Sequence, residues 1–159
     1  MGETVSLFRA SFNKSLRIES RADRLTAEPG AVVLREIMER TRIIAWLVER
    51  LVDPRDPDKI TYPLADLLRT ALLLLGQGWR DRDDADALRD DAGLRLAAGT
   101  ARGTTPLGEE SHLASQPTLS RLIAVLSRPA SRAVLHEAIA VLAGRRLRRP
   151  RAPPAGGDA

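Results

Sequence analysis

The sequence predicts an all-α protein, a small multi-helix bundle, on three observations. Leu, Ala and Val dominate an apolar fraction of 43%, while aromatic residues make up only 3%, a composition rich in helix formers. Apolar residues recur at i, i+3, i+4 and i+7 in several stretches, the spacing of one buried helical face. Pro- and Gly-containing polar segments separate those stretches, as helix stops do. At 159 residues the chain makes one domain, or one domain with a tail, and can bury a respectable core.

In chain order, residues 1–24 read as an N-terminal arm. Ser15, Leu16, Arg17, Ile18, Glu19 and Ser20 alternate polar and apolar, as a short β-strand would, and one hairpin or an irregular arm fits. Leu25 to Gly30 is turn-like. From Ala31 the period becomes helical, with Val33, Leu34, Ile37 and Met38 on the inner face and Arg35, Glu36, Glu39 and Arg40 outside. Ile43, Ile44, Trp46, Leu47, Leu51 and Val52 continue as a second helix, which the polar loop Asp53, Pro54, Arg55, Asp56, Pro57 and Asp58 stops.

Thr61 with Pro63 starts a third helix. Leu64 to Leu75 is apolar almost all round, with Asp66 and Arg69 as its only charges, the mark of a central, buried helix. Gly76, Gln77 and Gly78 end it. A helical piece over about 83–96 carries Ala85, Leu88, Leu94 and Leu96 inward. The Gly- and Thr-rich segment 98–111 is a loop. A helix from about Pro117 to Leu126 follows, then another from Ala130 to Ala143, capped by Gly144. The helical domain is therefore 25–143. Residues 144–159, rich in Arg, Pro and Gly, are expected to be a disordered basic tail.

Composition removes several classes of function. There is no cysteine, which excludes disulfides and thiolate metal sites and fits a cytoplasmic setting. Residues 1–12 hold no apolar run of signal-peptide length, and the longest apolar stretch is far too short to span a bilayer, so no membrane association is expected. Arg145, Arg146, Arg148, Arg149 and Arg151 stand against Asp158 in the tail, which leaves twenty basic and twenty acidic residues in 1–143. The basicity belongs to the tail, and only local patches of the folded part could support DNA contact.

Residue chemistry points to no enzyme. Asp81, Asp83, Asp84, Asp86, Asp90 and Asp91 form the most obvious metal candidate, but arginines interleave them and the spacing is not that of a calcium loop. A solvated helix start that welcomes negative charge is the better reading. His112 and His136 lack ligand partners at metal spacing. Ser111, Ser115 and Ser120 sit in no nucleophile elbow, and Gly76, Gly78 and Gly93 form no phosphate loop.

The run Ser115, Gln116, Pro117, Thr118, Leu119, Ser120, Arg121, Leu122 carries the most specific signal. Ser115 or Gln116 can cap the first turn, and Pro117 sits where its missing N–H costs nothing. Leu119, Leu122, Ile123 and Leu126 specify a packed side, and Thr118 and Arg121 fall away from it. By itself this is an ordinary bundle helix. It is also similar to the start of recognition helices in bacterial regulators, where phosphate and base-edge contacts are made. The candidate DNA-contacting residues are Gln116, Thr118, Ser120 and Arg121, with Arg128 and Arg132 as phosphate neighbours.

Three stretches together resemble a family. The first is Leu25, Thr26, Ala27, Pro29, Gly30, Ala31, Leu34, Arg35 and Glu36. The second is Gly76, Gly78, Trp79, Asp81, Asp83, Asp84, Asp86, Leu88, Arg89, Asp90 and Asp91, with Leu94 and Leu96 after it. The third is the run 113–122. Their order and spacing resemble the N-terminal region of bacterial insertion-sequence transposases of the DDE type, group one, over about residues 15–143. The resemblance implies a helical region that precedes a ribonuclease-H-like core, whose three carboxylates bind two Mg²⁺ ions and cut DNA at element ends.

The first catalytic Asp is then expected on a strand soon after Ala143, where this chain instead reads an Arg- and Pro-rich tail. The expectation is therefore a transposase fragment truncated before its core, with a tail that is a frameshifted reading. It would recognise the terminal repeats of a mobile element, would hold no cofactor of its own and would not be an enzyme. The alternative expectation is a helical module that docks on its own copy or on a full-length transposase.

Overall fold

The computed structural model describes residues 10–14, 16, 26, 28–79, 86, 88–99 and 113–147. Among these the chain forms α1 (Gly30–Thr41), α2 (Ile43–Val48), a 3-10 turn (Pro57–Lys59), α3 (Leu64–Gly76), α4 (Ala92–Ala98), α5 (Gln116–Leu126) and α6 (Pro129–Leu147), and no strand. The all-α bundle is the architecture. The expected strand at 15–20 apart from Leu16, most of the acidic run at 81–91, most of the 98–111 loop and the tail beyond 147 lie outside the described residues.

α3 is the central element. It packs on α1, α2, α4 and α5, while α6 lies mainly on α2 and α5. Leu67 and Leu73 of α3 and Leu94 of α4 are the largest fully buried side chains. The expectation that α3 is buried all round is corrected. Leu72 is 36% and Leu75 54% exposed, because α6 packs mainly on α2 and α5 and leaves that side of α3 partly uncovered.

α1 departs furthest from its expected facing. Arg35 and Glu36 are 6% and 3% exposed, whereas Val33 and Ile37 are 44% and 51% exposed. The charges can be inside because each is fully partnered. Arg35 donates to the carbonyls of Ala97 (2.7 Å) and Gly99 (2.9 Å) and to Glu39 (2.7 Å), and stacks 5.0 Å from the Phe12 ring. Glu36 accepts from the backbone N–H (2.6 Å) and hydroxyl (2.9 Å) of Ser11 and pairs with Arg40 (2.7 Å). A buried charge with such partners avoids most of the desolvation cost of a lone one.

Several boundaries shift for local reasons. Arg42 adopts φ 53° and separates α1 from α2, which ends at Val48 rather than Val52, a residue that is 78% exposed. Gly78 at φ 94° turns the chain after α3 as expected, since only a residue without Cβ adopts that conformation freely. Of the helix expected over 83–96, residues 83–85 and 87 lie outside the described residues and Asp86 is helical, while a turn at 88–90 separates it from α4, because the Asp91 carboxylate caps a new start by accepting from the Leu94 N–H at 2.9 Å. Its buried residues are Leu94, Ala97 and Ala98, with Leu88 and Leu96 half-buried. α6 continues through Gly144 to Leu147, so Gly144 does not stop it. Ala138 is buried there, but Ile139 is 66% exposed rather than inward.

Candidate nucleic-acid interface

The stretches at 25–36, 76–96 and 113–122 meet in space and position α5. Thr26 donates its hydroxyl to the Asp91 carboxylate at 2.7 Å and accepts from the Glu28 N–H at 2.9 Å. Gly93 lies against Thr26 so closely that a Cβ there would run into the Thr26 hydroxyl. Asp86 accepts from the Gln116 N–H at 3.0 Å, which sets a carboxylate on the first turn of α5, where the helix dipole favours it. Two members of the acidic run thus serve as helix caps.

Ser115 stands at the N-cap of α5 with extended backbone, φ −66° and ψ 159°, but its hydroxyl does not cap the helix. It lies 3.2 Å from the Thr118 hydroxyl instead. Pro117 occupies the first turn, as expected. Leu119 and Leu122 are buried, while Ile123 is 38% exposed and Leu126 half-buried. Of the expected packed side, only the first two residues are fully covered.

The candidate contact residues fall into two groups. Thr118 and Arg121 line a cleft of about 220 Å³ between α5 and the loop 53–62. Arg121 is exposed. Gln116 and Ser120 lie on the first turns of α5, where Ser120 donates its hydroxyl to the Gln116 carbonyl at 2.9 Å. Arg128 and Arg132 are exposed at the turn into α6, and Arg132 borders a different, apolar depression with Leu72, Leu75 and Ile123. The structure therefore does not gather all six residues into one cleft. His136 is exposed on α6, and His112 lies outside the described residues.

Across the cleft stand residues that sequence reasoning passed over as a helix stop, above all Arg55, Lys59 and Tyr62. Asp53 and Arg55 are joined in a fork, with Nη2 to Oδ2 at 2.6 Å and Nε to Oδ1 at 2.8 Å. Arg55 also donates to the Tyr62 carbonyl at 2.9 Å, which ties the two ends of the loop together. Hydrogen bonding to Arg55 holds the Asp53 carboxyl below the usual carboxylate range, and the same bond raises the Arg55 guanidinium. Asp56 caps the 3-10 turn by accepting from the Asp58 N–H, and Lys59 projects from that turn with its side chain 81% exposed. No pattern in 53–62 signals this placement, because it depends on where α5 packs.

A family model described as transposase DDE domain group 1 matches residues 8–154 of the chain. No curated protein and no solved structure gives a significant match. The family match overturns the expectation that the chain is no enzyme and lacks the catalytic carboxylates. A DDE domain spans nearly the whole chain, which makes it a member of a catalytic-type family. Such transposases use a divalent metal, yet among the described residues no three His, Cys, Asp or Glu side chains converge as a metal site requires.

Proposed function

The chain belongs to the group 1 family of DDE transposase domains, and from that premise we propose that it recognises the DNA ends of a mobile element through the first turns of α5. In this reading Thr118 and Arg121 are the central contacts, Gln116 and Ser120 flank them, and Arg128 and Arg132 approach neighbouring phosphates. The observation that carries the proposal is the division of α5. Leu119 and Leu122 anchor it in the core, while Arg121 is exposed over a cleft with two further cations on its opposite wall. A helix fixed in the core that offers an exposed arginine beside a cleft suits DNA contact. The protein would act in the cytoplasm, and among the described residues no helix is long and apolar enough to cross a membrane.

Gel shift of the chain on duplexes carrying the terminal repeats, against unrelated duplexes and across salt, tests the reading. Preference for the repeats that Arg121→Ala weakens is the expected result. Equal binding to unrelated DNA, abolished by deleting 148–159, would leave only the tail's non-specific attraction.

A second reading rests on the apolar depression bordered by Leu47, Leu68, Leu72, Leu75, Ile123 and Leu126. Exposed apolar surface of this kind suits a partner helix, such as one from a second copy or a full-length transposase. Sedimentation as a strict monomer at all concentrations would remove self-association from consideration.

A further inference from the structure

We infer that the cleft between the loop 53–62 and α5 seats one phosphodiester group of duplex DNA, gripped by Lys59 and Arg121 from opposite walls. This rests on the DNA-contact reading above and deepens it by naming the group bound and a second contacting element. Four observations lead there.

The first is size. At about 220 Å³ the cleft falls below the roughly 300–1,000 Å³ of sites that enclose whole small molecules, and so suits a single charged group of a larger ligand. The second is charge. Arg55, Lys59 and Arg121 line it against one carboxylate, Asp53. Asp53 and Arg55 satisfy each other in their fork, which leaves Lys59 and Arg121 to set an attraction for anions.

The third observation is availability. Lys59 pairs with Asp56 at 3.1 Å, but both side chains are exposed, 81% and 49%. An ion pair so open to solvent contributes little and is readily exchanged for a phosphate. The fourth is that the walls are preorganised. Arg55 holds the loop ends through Asp53 and the Tyr62 carbonyl, a positioning role, and Thr61 and Thr118 add hydroxyls to the lining. Such a seat reads no sequence. It fixes the register in which α5 meets the bases.

The test uses fluorescence anisotropy with the full chain and two labelled duplexes, one bearing a terminal repeat and one with the same bases scrambled. Lys59→Gln and Arg121→Gln are each expected to reduce the slope of log affinity on log salt by about 0.9, which corresponds to about an eightfold loss at about 0.1 M salt. The loss for Lys59→Gln is expected to be equal on both duplexes, with an unchanged thermal melt. If Lys59→Gln keeps the wild-type slope and affinity while Arg121→Gln weakens binding, the seat is wrong and the α5 reading stands. If the wild-type chain binds neither duplex, both fall. In a competition arm, inorganic phosphate is expected to displace DNA no better than chloride at equal ionic strength. Displacement at low phosphate concentration would make this a free-anion site and overturn the assignment to the DNA backbone.

Discussion

The side of the bundle built from α1, α3 and α4 and the side built from α5 and the loop 53–62 use charge in opposite ways. On the first, Arg35 and Glu36 are buried and engaged by several partners each. Arg35 closes the C-terminal end of α4 through the Ala97 and Gly99 carbonyls, Glu36 gathers Ser11 and Arg40, and Thr26 links Asp91 to the turn before α1. On the second, Arg121 and Lys59 are exposed, and the one strong pair, Asp53 with Arg55, shapes a loop rather than joining helices. Buried polar groups are costly unless satisfied, so they specify geometry. Exposed cations cost the fold almost nothing and remain available to a ligand.

The contrast can be broken most severely at Arg35. Arg35→Ala strands two backbone carbonyls and removes the partner of Glu39, and is expected to cost about 2–3 kcal/mol in urea unfolding, less than a fully buried pair because Glu39 is partly exposed. A loss under about 0.5 kcal/mol, the level of an ordinary surface change, would mean that the network is ornamental to stability.

A smaller effect is expected at Gly93. Gly93→Ala places a Cβ against Thr26 and is expected to cost about 1–2 kcal/mol as the Thr26–Asp91 link is pushed apart. Adding Thr26→Ser, which removes a methyl group from the collision, is expected to recover part of that loss. No recovery would place the strain elsewhere.

Acid is expected to act more gently. Burial alone would push Glu36 up, but hydrogen bonds from Arg40 and Ser11 outweigh it and hold the group below its usual value. Asp53 is held low chiefly by Arg55. Groups with depressed folded values contribute stability above their unfolded pKa of about 4, and that contribution is lost as pH falls through the lower folded values. Denaturant midpoints measured from neutral pH down to about pH 3 should therefore drop below about pH 4, and the Glu36→Gln variant should show a shallower drop. An equal drop in the variant would assign the acid sensitivity to other carboxylates.

The smallest stability change is expected at the cleft. Arg121→Ala should alter the unfolding free energy by no more than about 0.5 kcal/mol while DNA affinity falls. Loss of fold and binding together would give Arg121 the same structural office as Arg35 and dissolve the contrast between the two sides.

Much of the helical plan is legible in the chain. α3 and α5 appear close to their expected bounds, because a run such as Leu64 to Leu75 and the Pro117 start leave little alternative to a helix. Residue facing was less legible. Hydrophobic periodicity places Arg35 and Glu36 outside, and only the arrival of Ala97, Gly99 and Ser11 from distant parts of the chain makes their burial tolerable. Half of the candidate site was legible too. Arg121 follows from its place beside the Leu119 and Leu122 stripe, Thr118 stands one turn before Leu122 and lines the same cleft with it, and Arg55 and Lys59 carry no local mark of their place there.

By itself the sequence determined the helix content, the motif spacing that matches a transposase family, and the concentration of basic charge beyond 144. These are properties of composition and short-range periodicity, which a single chain carries locally. Tertiary structure decided which charges are buried, where the acidic run caps helices, and which cations line the cleft between α5 and the loop 53–62. Those outcomes depend on contacts between residues dozens of positions apart, such as Thr26 with Asp91 and Asp86 with Gln116, and the free energy that selects them exists only once the helices have packed.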